Sequence, residues 1–94
     1  MKILWTKLAL TDLEAAYKYI AKESPANAAL VIQRLQSAIQ NLEKHPEMGK
    51  HGRVAGTREL VLLKTPFVIP YRIVCDQIQI LAFMHGARKW PENF

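Results

Sequence analysis

The chain has a single cysteine, Cys75, in 94 residues. No disulfide can close within it, and a reducing compartment, the cytoplasm, suits such a chain. Long apolar runs are missing too. No stretch reaches the length that crosses a bilayer, and the amino-terminal MKILWTKLAL lacks the apolar core and cleavage site of a secretory leader, so no membrane role is expected. There is no glycine-rich phosphate loop and no nucleophile elbow. His45 and His51 stand without cysteine or acid at ligand spacing, so neither a metal nor a cofactor is expected. Acid is scarce: 8 Asp and Glu against 13 Lys and Arg leave a formal net charge of +5. A surplus of that size favours an acidic or polyanionic partner.

What is present is a folding sequence. Half of the residues are hydrophobic, without repeats or low-complexity linkers, and the length suits one domain over 1–94 with one core. KILW at 2–5 reads as a short strand. Thr6 can cap a helix whose Leu13, Ala16, Tyr17 and Ile20 recur at three and four. Ser24-Pro25 ends that helix and starts another, with the serine as N-cap and the proline in the first turn. Ala28, Val31, Ile32, Leu35, Ala38, Ile39 and Leu42 draw one stripe along the second helix, which stops near His45-Pro46. A joint this short predicts an antiparallel helical hairpin. PEMGKHGRVAGT, 46–57, has three glycines and no period, and reads as a loop. RELVLLK (58–64), FVIPYRIV (67–74) and QIQILAFMH (77–85) read as strands that turn at Thr65-Pro66 and Cys75-Asp76. The fold class is α+β: a short N-terminal strand, an antiparallel helical hairpin and a three-stranded antiparallel meander.

Alternation sorts the meander into faces. With tight turns, Leu60, Leu62, Phe67, Ile69, Tyr71, Ile73, Ile78, Ile80, Ala82 and Met84 share the face that receives the helices. Glu59, Val61, Leu63, Val68, Pro70, Arg72, Val74, Gln79, Leu81, Phe83 and His85 share the other. No element is left over to cover this second face, and its apolar content predicts a surface for a partner or a second copy. Pro70 inside a strand points to a bulge or an edge.

Lys50, Arg53, Arg58, Lys64, Arg72, Arg88 and Lys89 place most of the positive surplus in the loop-and-sheet half. The simple register sets Arg72 opposite Glu59. An ion pair and a rigid guanidinium that grips phosphate or carboxylate therefore both stay open. His85 is either an exposed strand end or a proton donor and acceptor. On one shared face, Arg72 and His85 could flank a substrate without touching each other. Histidine on a basic surface suits RNA cleavage by 2′-hydroxyl attack, and a plain anion-binding surface has the same composition. Trp90-Pro91 reads as a hydrophobic clamp or as a base-stacking platform.

WTKLALTDLEAAYKYI, GTRELVL, PFVIPYRIV and ILAFMHGARKWP, taken in order across essentially the whole chain, resemble the RelE/ParE superfamily of type II toxin–antitoxin toxins. The resemblance implies a RelE/ParE toxin-like fold and a cognate antitoxin, acidic and partly disordered when free, laid along the toxin's grooves and sheet. RelE-like members cut mRNA in the ribosomal A site without a metal. ParE-like members are associated with poisoning DNA gyrase. Arg72 matches the strand arginine of the RelE-like enzymes, and His85 or Arg88 falls near their late catalytic position, so a catalytic reading would use these three. ELVLLK, however, offers only Lys64, with Leu62 where RelE-like enzymes carry a second lysine. TRELVLLKTPFVIPYRIV is closer to the ParE-like branch, which implies a gyrase-directed toxin ahead of a ribosome-dependent mRNA endoribonuclease. Residues expected to meet antitoxin or target are Arg53, Arg58, Lys64, Arg72, Phe83, Arg88, Lys89 and Trp90.

Overall fold

Two side-chain hydroxyls set the helical half of the molecule. The computed structural model describes residues 1–94. Strand β1, Lys2–Trp5, leads into helix α1, Lys7–Glu23. At the junction Thr6 Oγ1 accepts from the Ala9 amide at 3.2 Å and donates to the Leu81 carbonyl at 3.2 Å, so one cap also ties the helix to the sheet. Ser24 serves both helices. Its amide donates to the Ile20 carbonyl, closing α1, and its Oγ accepts from the Asn27 amide, opening helix α2, Pro25–Lys44, with the proline in the first turn. The helical hairpin is as expected.

Beyond α2 come β2 (Lys50–His51), β3 (Arg58–Val61), β4 (Phe67–Val74), β5 (Gln77–Ile80) and β6 (Met84–His85). They form one mixed sheet of order β1-β5-β4-β3-β2, with β6 also paired to β4. β1 runs parallel to β5, while β3, β4 and β5 form the antiparallel meander. The face assigned to the helices is correct through Ile80. Ala9, Leu35 and Leu42 from the helices share one buried cluster with Leu60, Leu62, Ile69, Tyr71, Ile78 and Ile80. Burial of each leucine and isoleucine side chain in this cluster stabilises the fold by about 1.5–3 kcal/mol.

Three expectations are corrected. The run 58–64 is strand only to Val61, because Leu62 opens the turn and Lys64 takes a left-handed φ of 63°. The run 77–85 breaks. Tyr71 pairs with Ile80, yet Val68 pairs with Met84, so Ile69 and Pro70 face Leu81, Ala82 and Phe83. One extra residue has entered among Leu81–Phe83, opposite Pro70, which has no N–H to offer the ladder. The bulge reverses the parity of everything after it. Phe83 and His85, expected on the second face, instead meet Phe67: ring centroids lie 4.7 Å from Phe67 to Phe83 and 6.2 Å from Phe67 to His85. The Phe83 amide, out of the ladder, donates to Asp12 Oδ2 at 3.2 Å.

The third correction concerns the second face, which is not bare. Glu59, Val68, Pro70 and Leu81 are buried there. Segment 52–57 and the tail 86–94 meet over it, where Arg53 reaches Glu59 and stacks on Trp90. Neither segment has a period that would have announced a packed element. Only a strip remains open, including Val61, Arg72 and Val74, with Leu63 exposed in the turn.

The loop before β3 is anchored from below. Buried Tyr71 accepts from the Gly49 amide at 2.9 Å and donates to the Pro46 carbonyl at 2.7 Å; burial pushes its phenol above the ordinary range. A Cβ at Gly49 would sit 2.6 Å from the Tyr71 hydroxyl and 2.9 Å from the Glu59 carbonyl oxygen. Gly49→Ala is therefore expected to cost about 2 kcal/mol, or about 10 °C in melting temperature, in a thermal melt followed by circular dichroism. No helix is long and apolar enough to cross a membrane.

Candidate functional site: a basic groove between helices and sheet

A concavity with a volume of about 960 Å³ lies between the helical hairpin, the β3–β4 turn and the chain after the bulge. Helical spacing builds one wall. Asp12, Ala15, Ala16, Tyr19 and Ile20 lie on one side of α1, and Asn27, Leu30, Val31 and Arg34 on one side of α2. Lys64, Thr65 and Pro66 come from the turn, and Phe67, Phe83, Met84, His85, Arg88 and Lys89 from the sheet and tail. The stacked Phe67 and Phe83 rings give this side its apolar body. Tyr19 and Leu30 stand out at the lip, 74% and 46% exposed.

The charge is one-sided. Arg34, Lys64, Arg88 and Lys89 line the groove with His85, against Asp12 as the one acid. That carboxylate is already occupied by the Phe83 amide. Arg34 also donates to the Leu63 carbonyl at 3.2 Å, fixing the turn to α2. An apolar concavity with cations at its margin is complementary in charge to anionic, partly apolar groups.

Across the sheet, Arg53 is held by its amide and by all three guanidinium nitrogens. Its amide donates to Glu59 Oε2 at 2.7 Å, Nε to the same oxygen at 3.1 Å, Nη2 to Oε1 at 3.1 Å and Nη1 to the Gly86 carbonyl at 3.1 Å. Its guanidinium carbon lies 3.7 Å above the centre of the Trp90 ring. Burial works to raise the Glu59 carboxyl, but the hydrogen bonds and charge of Arg53 outweigh it and hold the group below its ordinary range.

The residues expected from sequence thus divide. Lys64, Phe83, His85, Arg88 and Lys89 converge on the groove. Arg53 and Trp90 engage each other on the far face. Arg58 donates to the Gly49 carbonyl at 2.8 Å and the Glu47 carbonyl at 3.2 Å. Arg72 lies in the open strip, its Nε donating to Gln79 Oε1 at 2.9 Å; Glu59, its expected partner, pairs with Arg53 instead. Asp12, Tyr19, Leu30 and Arg34 were not expected. Tyr19 and Leu30 carried a signal, being large apolar residues off both core stripes.

The family described as the ParE toxin of the type II toxin–antitoxin system parDE matches residues 3–90 of this chain. The chain belongs to the ParE toxin family. It is similar to Y4kP, a candidate toxin of Sinorhizobium fredii, at 43% identity over 91 residues, covering 97% of this chain and 94% of that protein. Toxin RelE2 of Caulobacter vibrioides is 37% identical over 87 residues, covering 93% of this chain and 97% of that one. Among solved structures, a chain of the chromosomal ParDE TA system from P. aeruginosa is similar with a TM-score of 0.79 and 31% identity, over 90% of this chain and 95% of that chain. The YoeB/ParE toxin from Agrobacterium tumefaciens shares the fold, with a TM-score of 0.62 and 17% identity over 90% of this chain and 98% of that one. The ParE-like branch of the RelE/ParE superfamily, expected from the sequence motifs, is the branch found.

Proposed function

We propose that this ParE-family toxin arrests growth by acting on DNA gyrase, and that its cognate antitoxin silences it by laying an acidic amphipathic segment in the groove. One observation carries the choice of target. The bulge turns His85 towards Phe67 while Arg72 stays in the open strip of the other face, bonded to Gln79. A guanidinium that stabilises a phosphorane and an imidazole that moves its proton must reach the same phosphate. Division by the sheet sets Arg72 and His85 poorly for one phosphate, which supports the binding reading, and Leu62 in place of a second lysine weakens the cleavage chemistry further. A toxin that works by binding needs no such convergence.

The antitoxin half of the reading rests on complementarity. Carboxylates of the incoming segment would meet Arg34, Lys64, Arg88 and Lys89, and its apolar side would cover Phe67, Phe83 and Leu30. Antitoxin chains of this kind order as they dock, which hides apolar surface that neither partner covers alone.

Purified protein is expected to inhibit supercoiling by gyrase, or to accumulate cleaved gyrase–DNA complexes, while mRNA in a parallel translation reaction stays intact by primer extension. Cuts within codons of the translated message, with gyrase unaffected, would reverse the assignment.

A further inference from the structure

We propose that Arg53, although it lies on the face away from the helices, is the positioning residue for the basic margin of the groove. It does this by pinning both feet of the short arch 86–90. One foot is Gly86. Its amide donates to the Pro66 carbonyl at 2.8 Å and its carbonyl accepts from Arg53 Nη1 at 3.1 Å. The other foot is Trp90. Its ring lies 3.7 Å beneath the Arg53 guanidinium, and its Nε1 donates to the His85 carbonyl at 3.3 Å. Between the feet, at the crown, are Arg88 and Lys89, which line the groove.

One guanidinium can hold two feet because its own position is fixed from a third direction. Glu59, 2% exposed, takes three N–H groups of Arg53 on its two oxygens. That leaves Nη1 for Gly86 and a flat face for the indole. A planar fork with a stacking surface is what arginine supplies and lysine does not. The remote ion pair therefore determines where two groove cations stand. This role rests on the reading of the groove as the seat of an acidic segment: an arch already fixed spares the complex the cost of ordering two long side chains and their backbone.

The test uses the whole protein and two independent readouts. Amide hydrogen exchange at 86–90, compared with β4, reports the arch, and titration with fluorescein-labelled oligoglutamate reports the groove. Arg53→Lys is expected to speed exchange at 86–90 about tenfold with β4 unchanged, and to weaken oligoglutamate about tenfold. Trp90→Leu, which leaves Arg53 on Glu59, is expected to do the same and serves if the first variant does not fold. Replacing Arg88 and Lys89 together by glutamine should weaken oligoglutamate with exchange unaltered. Slow exchange at 86–90 and undiminished binding in Arg53→Lys would overturn the proposal, as would equal acceleration in β4, which marks a general structural role. If the glutamine variant binds oligoglutamate as the parent does while Arg53→Lys frees the arch, the groove reading falls. The positioning role falls with it, and only the latch stands.

Discussion

Glu59→Ala is expected to lower the melting temperature by about 15 °C, a large loss for a residue outside the apolar core. The carboxylate side chain is 1% exposed and its partner Arg53 is 42% exposed. Removing one member of a fully buried pair costs about 3–5 kcal/mol, and water around the surviving Arg53 reduces this to about 2–3 kcal/mol. The loss is not confined to charge. The Arg53 amide, Nε and Nη2 all lose their acceptor, and the Gly86 and Trp90 contacts lose the group that oriented their partner. Glu59→Gln keeps the shape and one good acceptor, and about half the cost is expected. Acid should act in the same direction. The folded carboxyl titrates below the ordinary value of 4.5, so the unfolded chain takes up the proton first. Its stabilisation is complete above the unfolded value and is lost as pH falls through the lower, folded one. Thermal melts across the acid range should show that component in the parent protein and not in Glu59→Gln. Parallel curves would remove Glu59 from the account.

Reversing both crown charges, Arg88→Glu with Lys89→Glu, is expected to weaken the cognate antitoxin about a hundredfold without unfolding the toxin. Both side chains lie at the groove margin, and the acid already there, Asp12, is bound to a backbone amide. Reversal replaces two attractions by two repulsions against a carboxylate-rich segment, on the order of 3 kcal/mol in all. The measurement is calorimetric titration at two salt concentrations, with co-expression of antitoxin as the cellular counterpart. The parent complex should weaken as salt rises, and the reversed variant should bind less and depend less on salt. Co-expressed antitoxin should then fail to restore growth. Tight binding by the variant at either salt concentration would show that the acidic segment lies elsewhere.

Much of this architecture can be read from local pattern. Thr6, Ser24 and Pro25 mark the helix ends because capping is decided by residues three apart. The stripe from Ala28 to Leu42 marks the buried side of α2 because packing selects it turn by turn. The helix-facing side of the sheet is readable as far as Ile80. Past that point the same logic misplaces Phe83 and His85, since alternation carries no memory of one inserted residue. Pro70 signalled a disruption, but a missing N–H does not say on which strand the extra residue enters. The Arg53–Glu59–Trp90 cluster was less accessible still. Its members come from a loop, a strand and a tail, and no spacing rule links residues 53, 59 and 90. The groove inherits both difficulties, with one wall legible in the helical periods and the other made by the bulge.

The parallel pairing of β1 with β5 sets an order of events during synthesis. Lys2 is joined to Gln77 and Trp5 to Ile80, so the first strand to emerge must wait for almost the last before it is paired. Until then Ile3 and Trp5 have no sheet to lie in, and the floor beneath the helices lacks Ile78 and Ile80. A truncated translation product that ends before β5 cannot assume the finished shape, whatever the quality of its helices. The finished fold therefore comes late in synthesis, which gives a partner already present in the cell the time of elongation to be in place.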